Sequence, residues 1–122
     1  MRHVILGNGP TGVVAAETIR KKRPDDEIVI VGDEHERPYS RMAIPYLLEG
    51  KIAESGTLLR HDRDHWEHAR IGLVEARATS IDTAGRVVQL SNGASLPYDR
   101  LLLATGSKPV RPPIPGMDLP QV

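Results

Sequence analysis

His3-Val4-Ile5-Leu6-Gly7-Asn8-Gly9-Pro10-Thr11-Gly12 runs from a β-prone apolar stretch straight into Gly-x-Gly-x-x-Gly, and this junction decides the fold. The apolar run predicts a strand over Val4 to Leu6. Each glycine then has its own task. Gly7 lets the chain leave the strand in a tight turn, Gly9 offers no Cβ to keep a pyrophosphate from the backbone, and Gly12 lets the next helix pack close to the sheet. A pyrophosphate would rest on the free N–H groups at that helix's N-terminus, where the helix dipole favours negative charge.

The surroundings of the motif support this reading. Val13 to Arg20 is helix-compatible, with Val13, Ala16, Ile19 and Arg20 at helical spacing. A second apolar run, Glu27-Ile28-Val29-Ile30-Val31, ends in Gly32-Asp33-Glu34. Asp33 falls twenty-one residues after Gly12, where dinucleotide-binding folds place the carboxylate that binds both ribose hydroxyls. Strand, glycine turn, helix, strand and acid together form a βαβ unit for an adenine dinucleotide.

A chain of 122 residues suits one domain with a modest core. Sixteen basic and sixteen acidic side chains cancel, so no global field points to nucleic acid or an anionic membrane as partner. Arg20-Lys21-Lys22-Arg23 falls where the first helix should end, and cations there complement the carbonyl end of its dipole. With no cysteine, the chain supplies no disulfide, Cys-ligated zinc, iron–sulfur ligand or thiol nucleophile. No apolar stretch reaches membrane-span length and no signal peptide precedes the first strand, so a soluble cytoplasmic protein is expected.

Farther along, Ile44 to Glu49 predicts a short helix with Pro45 in its first turn and Gly50 past its end. Asp62 to Arg70 predicts another, N-capped by Asp62 and stopped at Gly72, with Trp66 anchoring it to the sheet. Leu73 to Ala76 reads as a short parallel strand. Ala78 to Ile81, Arg86 to Leu90 and Ala94 to Leu96 read as an antiparallel meander, turned at Thr83-Ala84-Gly85 and Ser91-Asn92-Gly93. Arg100 to Ala104 is a continuous apolar run, expected as a fully buried parallel strand, and it ends in Thr105-Gly106. Proline-rich residues 108–122 read as a linker.

The order strand, GxGxxG, helix, strand, acid, Pro38-Tyr39-Ser40-Arg41, meander and Leu102-Leu103-Ala104-Thr105-Gly106 spans nearly the whole chain. It resembles the N-terminal FAD-binding segment of the pyridine nucleotide-disulphide oxidoreductase family. Val31-Gly32-Asp33-Glu34 and Pro38-Tyr39-Ser40-Arg41 look most like its ferredoxin and rubredoxin reductases and its nitrite reductase large subunits. By this resemblance, Gly7, Gly9, Pro10, Thr11 and Gly12 form the pyrophosphate turn, and Asp33 with Glu34 beside it is the ribose-binding acid. Arg41 contacts the cofactor, the backbone at Ala78 meets the adenine, and Thr105 and Gly106 pass near the FAD pyrophosphate.

Two departures refine the resemblance. Arg41 to Glu49 lacks the cysteines that disulphide-reducing members carry, which implies electron transfer without a redox-active disulphide. Tyr46 stands where ferredoxin reductases tend to have a lysine close to the flavin, which moves weight toward the nitrite reductase-like side.

The implied fold class is α/β: a Rossmann-like parallel sheet with an antiparallel β-meander in the crossover. Its expected sheet order is Leu73–Ala76, Ile28–Val31, Val4–Leu6, Leu101–Ala104. The implied function is the FAD-binding portion of an oxidoreductase that passes electrons from NAD(P)H through FAD to an acceptor. The expected division is a partial FAD-binding domain over 1–107 and a linker over 108–122, toward an NAD(P)H-binding domain outside this sequence. The chain then reads as a fragment that binds FAD or its ADP half and self-associates through an exposed sheet edge. Two alternatives stay open: a stand-alone adenine-dinucleotide module without catalysis, and an NAD rather than an FAD site. His61, His65 and His68 would share one face of the helix predicted over Asp62 to Arg70, a geometry that allows a metal, but with no supporting context they read as an exposed polar face and no metal site is expected.

Overall fold

The computed structural model describes residues 1–108, 110 and 112–115. Two sheets and one long helix form its frame. Strand β1 (Arg2–Leu6) leads through the glycine turn into α1 (Pro10–Lys22), and β2 (Glu27–Gly32) returns parallel to β1. A connector then carries 3-10 turns at Arg41–Ala43 and Glu54–Thr57 and the short helices α2 (Ile44–Leu48) and α3 (His65–His68). Strand β3 (Ile71–Glu75) pairs parallel with β2. The chain next makes the meander β4 (Ala78–Asp82), β5 (Val87–Leu90) and β6 (Ser95–Pro97), then returns as β7 (Arg100–Leu103), parallel to β1.

The parallel sheet has the order β3-β2-β1-β7 and the meander β4-β5-β6 is a separate sheet. Both the sheet order and the meander agree with the reading of the sequence. The central stretches Val4–Leu6 and Ile28–Val31 are continuously apolar, because both faces of the parallel sheet are covered there. Alternate residues sort to opposite sides. Ile5, Ile28, Ile30 and Ile71 pack with Val13 and Ala16 of α1 and with Trp66 of α3. Val4, Leu6, Val29 and Val31 pack instead with Val88 and Leu90 of the meander. The result is three layers: helices, parallel sheet and meander.

Basic residues Arg20, Lys21 and Lys22 occupy the last turn of α1, as expected. Arg20 does more than complement the dipole. Its guanidinium donates to the carbonyls of Ala69, Arg70, Pro24 and Asp26 at 2.6–2.8 Å, tying the α1–β2 turn to the end of α3.

Three expectations need correction. The helix predicted over Asp62 to Arg70 is only the single turn α3. Asp62 does not cap it; its Oδ1 accepts from the Asp64 N–H at 3.0 Å and makes a turn outside the helix, while Arg70 ends it at φ +53. Gly72 is no stop signal, because it lies within β3 opposite Val29. Finally, β7 is not fully buried: it is the sheet's edge among the described residues, with Leu102 and Leu103 exposed at 37% and 61%. The expected linker lies largely outside the described residues.

Candidate functional site

The C-terminal ends of the parallel strands gather most of the residues singled out in the sequence. From β1 the chain passes to β2 on one side, whereas β7 lies on the other, so the connectivity reverses between β1 and β7. Ligands of open α/β sheets bind in the crevice at such a reversal.

The glycine turn sits there. Gly7 has φ +117, and a Cβ on it would lie 2.1 Å from the carbonyl oxygen of Ala104. The turn therefore backs directly onto the segment that ends in Thr105 and Gly106. Gly9 is the N-cap of α1 in extended conformation, and a Cβ on it would meet nothing within 4 Å. Pro10 takes the first helical position, where its missing N–H costs nothing. No side chain caps the helix, and its first turn contains no acid. The N–H groups of Gly9, Thr11 and Gly12 thus have no partner within the helix, and open space lies beside Gly9. An uncapped, acid-free helix start beside open space fits a pyrophosphate.

At the end of β2 the two acids part company. Asp33 is half-exposed, and its Oδ2 lies 3.5 Å from Arg77 Nη1, one residue before Ala78 opens the meander. Ala76 donates its N–H to the Gly32 carbonyl at 2.8 Å, which brings the start of the meander to the end of β2. Glu34 is more buried. Its Oε2 accepts from the Tyr39 hydroxyl at 2.6 Å, and its Oε1 accepts from Arg41 Nη2. The Tyr39 hydrogen bond, then Arg41, then the charge of Lys108 hold Glu34 below the ordinary carboxylate range. Arg41 is itself exposed.

The sequence motif Pro38-Tyr39-Ser40-Arg41 contains Tyr39, but its anchoring of Glu34 was not legible from residue order. Asn8, the variable position in the glycine turn, was missed too. Its side chain lies over Gly32, where a Cβ would come within 2.5 Å of Asn8 Cγ. Asn8, Gly32 and Glu34 line an open cleft of about 220 Å³.

The three histidines do not share a helical face, because His61 precedes α3. His65 Nε2 meets Glu17 Oε1 at 2.9 Å, and among the described residues no group of three or more ligand side chains could hold a metal ion. Also among them, no helix is long and apolar enough to cross a membrane.

This arrangement has known counterparts. The profile of the pyridine nucleotide-disulphide oxidoreductase family matches residues 1–122. The chain belongs to that family. An NADH oxidase from Methanocaldococcus jannaschii is 38% identical over 98% of the chain and 28% of its own length. A nitrite reductase [NAD(P)H] from Bacillus subtilis is 36% identical over 94% of the chain and 14% of its own length. The crystal structure of a ferredoxin reductase from Rhodopseudomonas palustris superposes with a TM-score of 0.87 at 30% identity, covering 98% of this chain and 30% of that one. The chain thus spans less than a third of the length of these family members, and both branches suggested by the sequence are represented among them.

Proposed function

We propose that this chain is the FAD-binding portion of an NAD(P)H-dependent flavoprotein oxidoreductase, passing electrons from NAD(P)H through FAD to an acceptor without a redox-active disulphide in this segment. The observation that carries the reading is the uncapped start of α1, set against the Ala104–Thr105 backbone where the sheet's connectivity reverses.

Gly7, Gly9, Pro10, Thr11 and Gly12 hold the pyrophosphate, chiefly through backbone N–H groups. Asp33 and Glu34 stand at the ribose end, and the backbone at Ala78 borders the adenine. Arg41 offers a guanidinium to the phosphates. Thr105 and Gly106 pass on the flavin side of the pyrophosphate. When bound, FAD supplies the redox chemistry, and this segment binds and orients it. No side chain here is assigned as acid, base or nucleophile. Its exposed β7 edge supports self-association of the isolated segment.

Titration of the purified chain with FAD, ADP and NAD, followed by thermal unfolding, tests the reading. FAD and ADP should stabilise alike, by about 2.7 kcal/mol at a hundredfold excess over Kd, and Asp33→Ala should abolish most of the effect. A stronger effect of NAD than of FAD would point to an NAD site, and no effect of any ligand would refute the proposal.

A further inference from the structure

Asp33 and Glu34 follow directly on Gly32, the last residue of β2, in a bend that sends their side chains to different partners. Here the divergence is explicit. Asp33 faces Arg77 at the meander entrance, and its carboxylate is half-exposed. Glu34 turns away toward the 38–41 segment, and both of its oxygens are engaged there, Oε2 by Tyr39 and Oε1 by Arg41.

Tyr39 rests on a fixed support. It forms an antiparallel bridge with Leu58. Leu59 donates its N–H to the Pro38 carbonyl at 3.0 Å, and Ser40 donates to Thr57 at 2.8 Å. Pro38 and Thr57 are buried. The support therefore passes from the backbone pairing to Tyr39, from Tyr39 to Glu34, and from Glu34 to Arg41. A free arginine side chain samples many rotamers, and one held by a fixed carboxylate does not. The contact to Glu34 engages Nη2, which leaves the Nε and Nη1 side of the guanidinium for another oxyanion.

We infer that Glu34 is a positioning residue, which presents Arg41 to the phosphates of the bound dinucleotide, and that ribose recognition falls to Asp33 alone. The inference rests on the FAD-binding reading above. It separates two neighbouring acids that residue order alone would assign to one task.

Calorimetric titration of the 122-residue chain with ADP and 2′-deoxy-ADP tests the assignment. The variants are Asp33→Asn, Glu34→Ala, Arg41→Ala, the Glu34→Ala/Arg41→Ala double variant and Tyr39→Phe. Glu34→Ala and Arg41→Ala should each weaken ADP binding about tenfold. The double variant should bind no more weakly than Arg41→Ala, because Glu34 acts through that side chain. Tyr39→Phe keeps the ring in place and should weaken ADP binding in the same direction by a smaller factor. The preference for ADP over 2′-deoxy-ADP should survive in Glu34→Ala and vanish in Asp33→Asn.

Additive losses, loss of the 2′-hydroxyl preference in Glu34→Ala, or tighter ADP binding by that variant would each overturn the assignment while leaving the FAD-binding reading intact. Failure of the unaltered chain to bind ADP would overturn both.

Discussion

A Cβ on Gly12 would lie 2.0 Å from the carbonyl oxygen of Gly7. The first turn of α1 and the exit of β1 therefore meet through bare backbone, and this contact keeps the helix start close to the strand end. Gly9, between them in sequence, touches nothing on its side-chain face. Two glycines of one motif thus serve separate ends, one the packing of the fold and the other the approach of a ligand.

Alanine at each position should separate these roles. Gly12→Ala forces backbone to move and should cost about 2–3 kcal/mol of stability in urea denaturation. Gly9→Ala should change stability by only about 0.5 kcal/mol, since the extended conformation there suits any residue. Its methyl group enters the open space there, however, so ADP affinity measured by calorimetry should fall sharply.

Acid sensitivity should trace to Glu17. Its carboxylate accepts from Arg60 Nε at 2.7 Å and Nη2 at 2.5 Å, and it meets His65 Nε2 at 2.9 Å. The Arg60 hydrogen bonds, more than any other contact, hold Glu17 below its ordinary value of 4.5. A depressed carboxylate contributes stability that is present above the unfolded value and lost as pH falls through the folded one. Glu17→Gln should therefore lose about 1–2 kcal/mol at pH 7, an amount reduced by the partial exposure of Arg60. Its stability should also depend less steeply on pH below about 4.5 than that of the unaltered chain. Denaturation midpoints from pH 7 to pH 3 would read both effects.

Trp66 carries the packing of α3. It is buried against Ile5, Val13 and Ile71, and its Nε1–H has no hydrogen-bond partner among the described residues. An unpaired buried donor is a standing cost. Trp66→Phe loses some volume but removes that cost, and should stay within about 1 kcal/mol of the original stability. Trp66→Ala should lose about 3–5 kcal/mol. Far-UV circular dichroism in urea measures both without relying on the indole.

The legible parts were those fixed by local chemistry. Ile5, Ile28 and Ile30 stand in unbroken apolar runs because both sheet faces are covered, so strand positions could be read from the sequence, whereas the sheet order came with the family resemblance. The glycine spacing marked the helix start, and the distance from Gly12 singled out Asp33, which the structure shows just past the end of β2. The connector was harder to read, since its structure depends on distant partners. The pattern from Asp62 to Arg70 is helical in period, yet the Asp62 side chain makes its own turn and Arg70 adopts φ +53, its carbonyl bound by Arg20 fifty residues away in sequence. Likewise, nothing in the order Asp33-Glu34 says that one carboxylate meets Arg77 and the other meets Tyr39 and Arg41.

The two edges of the parallel sheet differ in a way that predicts association. At the β3 edge, Glu75 pairs with His35 at 2.9 Å and puts charge beside the strand, a common defence against edge pairing. The β7 edge carries Leu102 and Leu103, the latter 61% exposed. Its outer backbone groups have no strand partner among the described residues. A second copy of the chain can pair there, covering the leucines and satisfying the backbone at once. Sedimentation velocity should therefore show concentration-dependent association of the isolated chain. Leu103→Lys adds charge at an exposed position, so it should shift the population toward monomer while changing stability by only about 0.5 kcal/mol. A chain that stays monomeric at every accessible concentration, or a Leu103→Lys variant that associates as the original does, would rule out β7 as the contact.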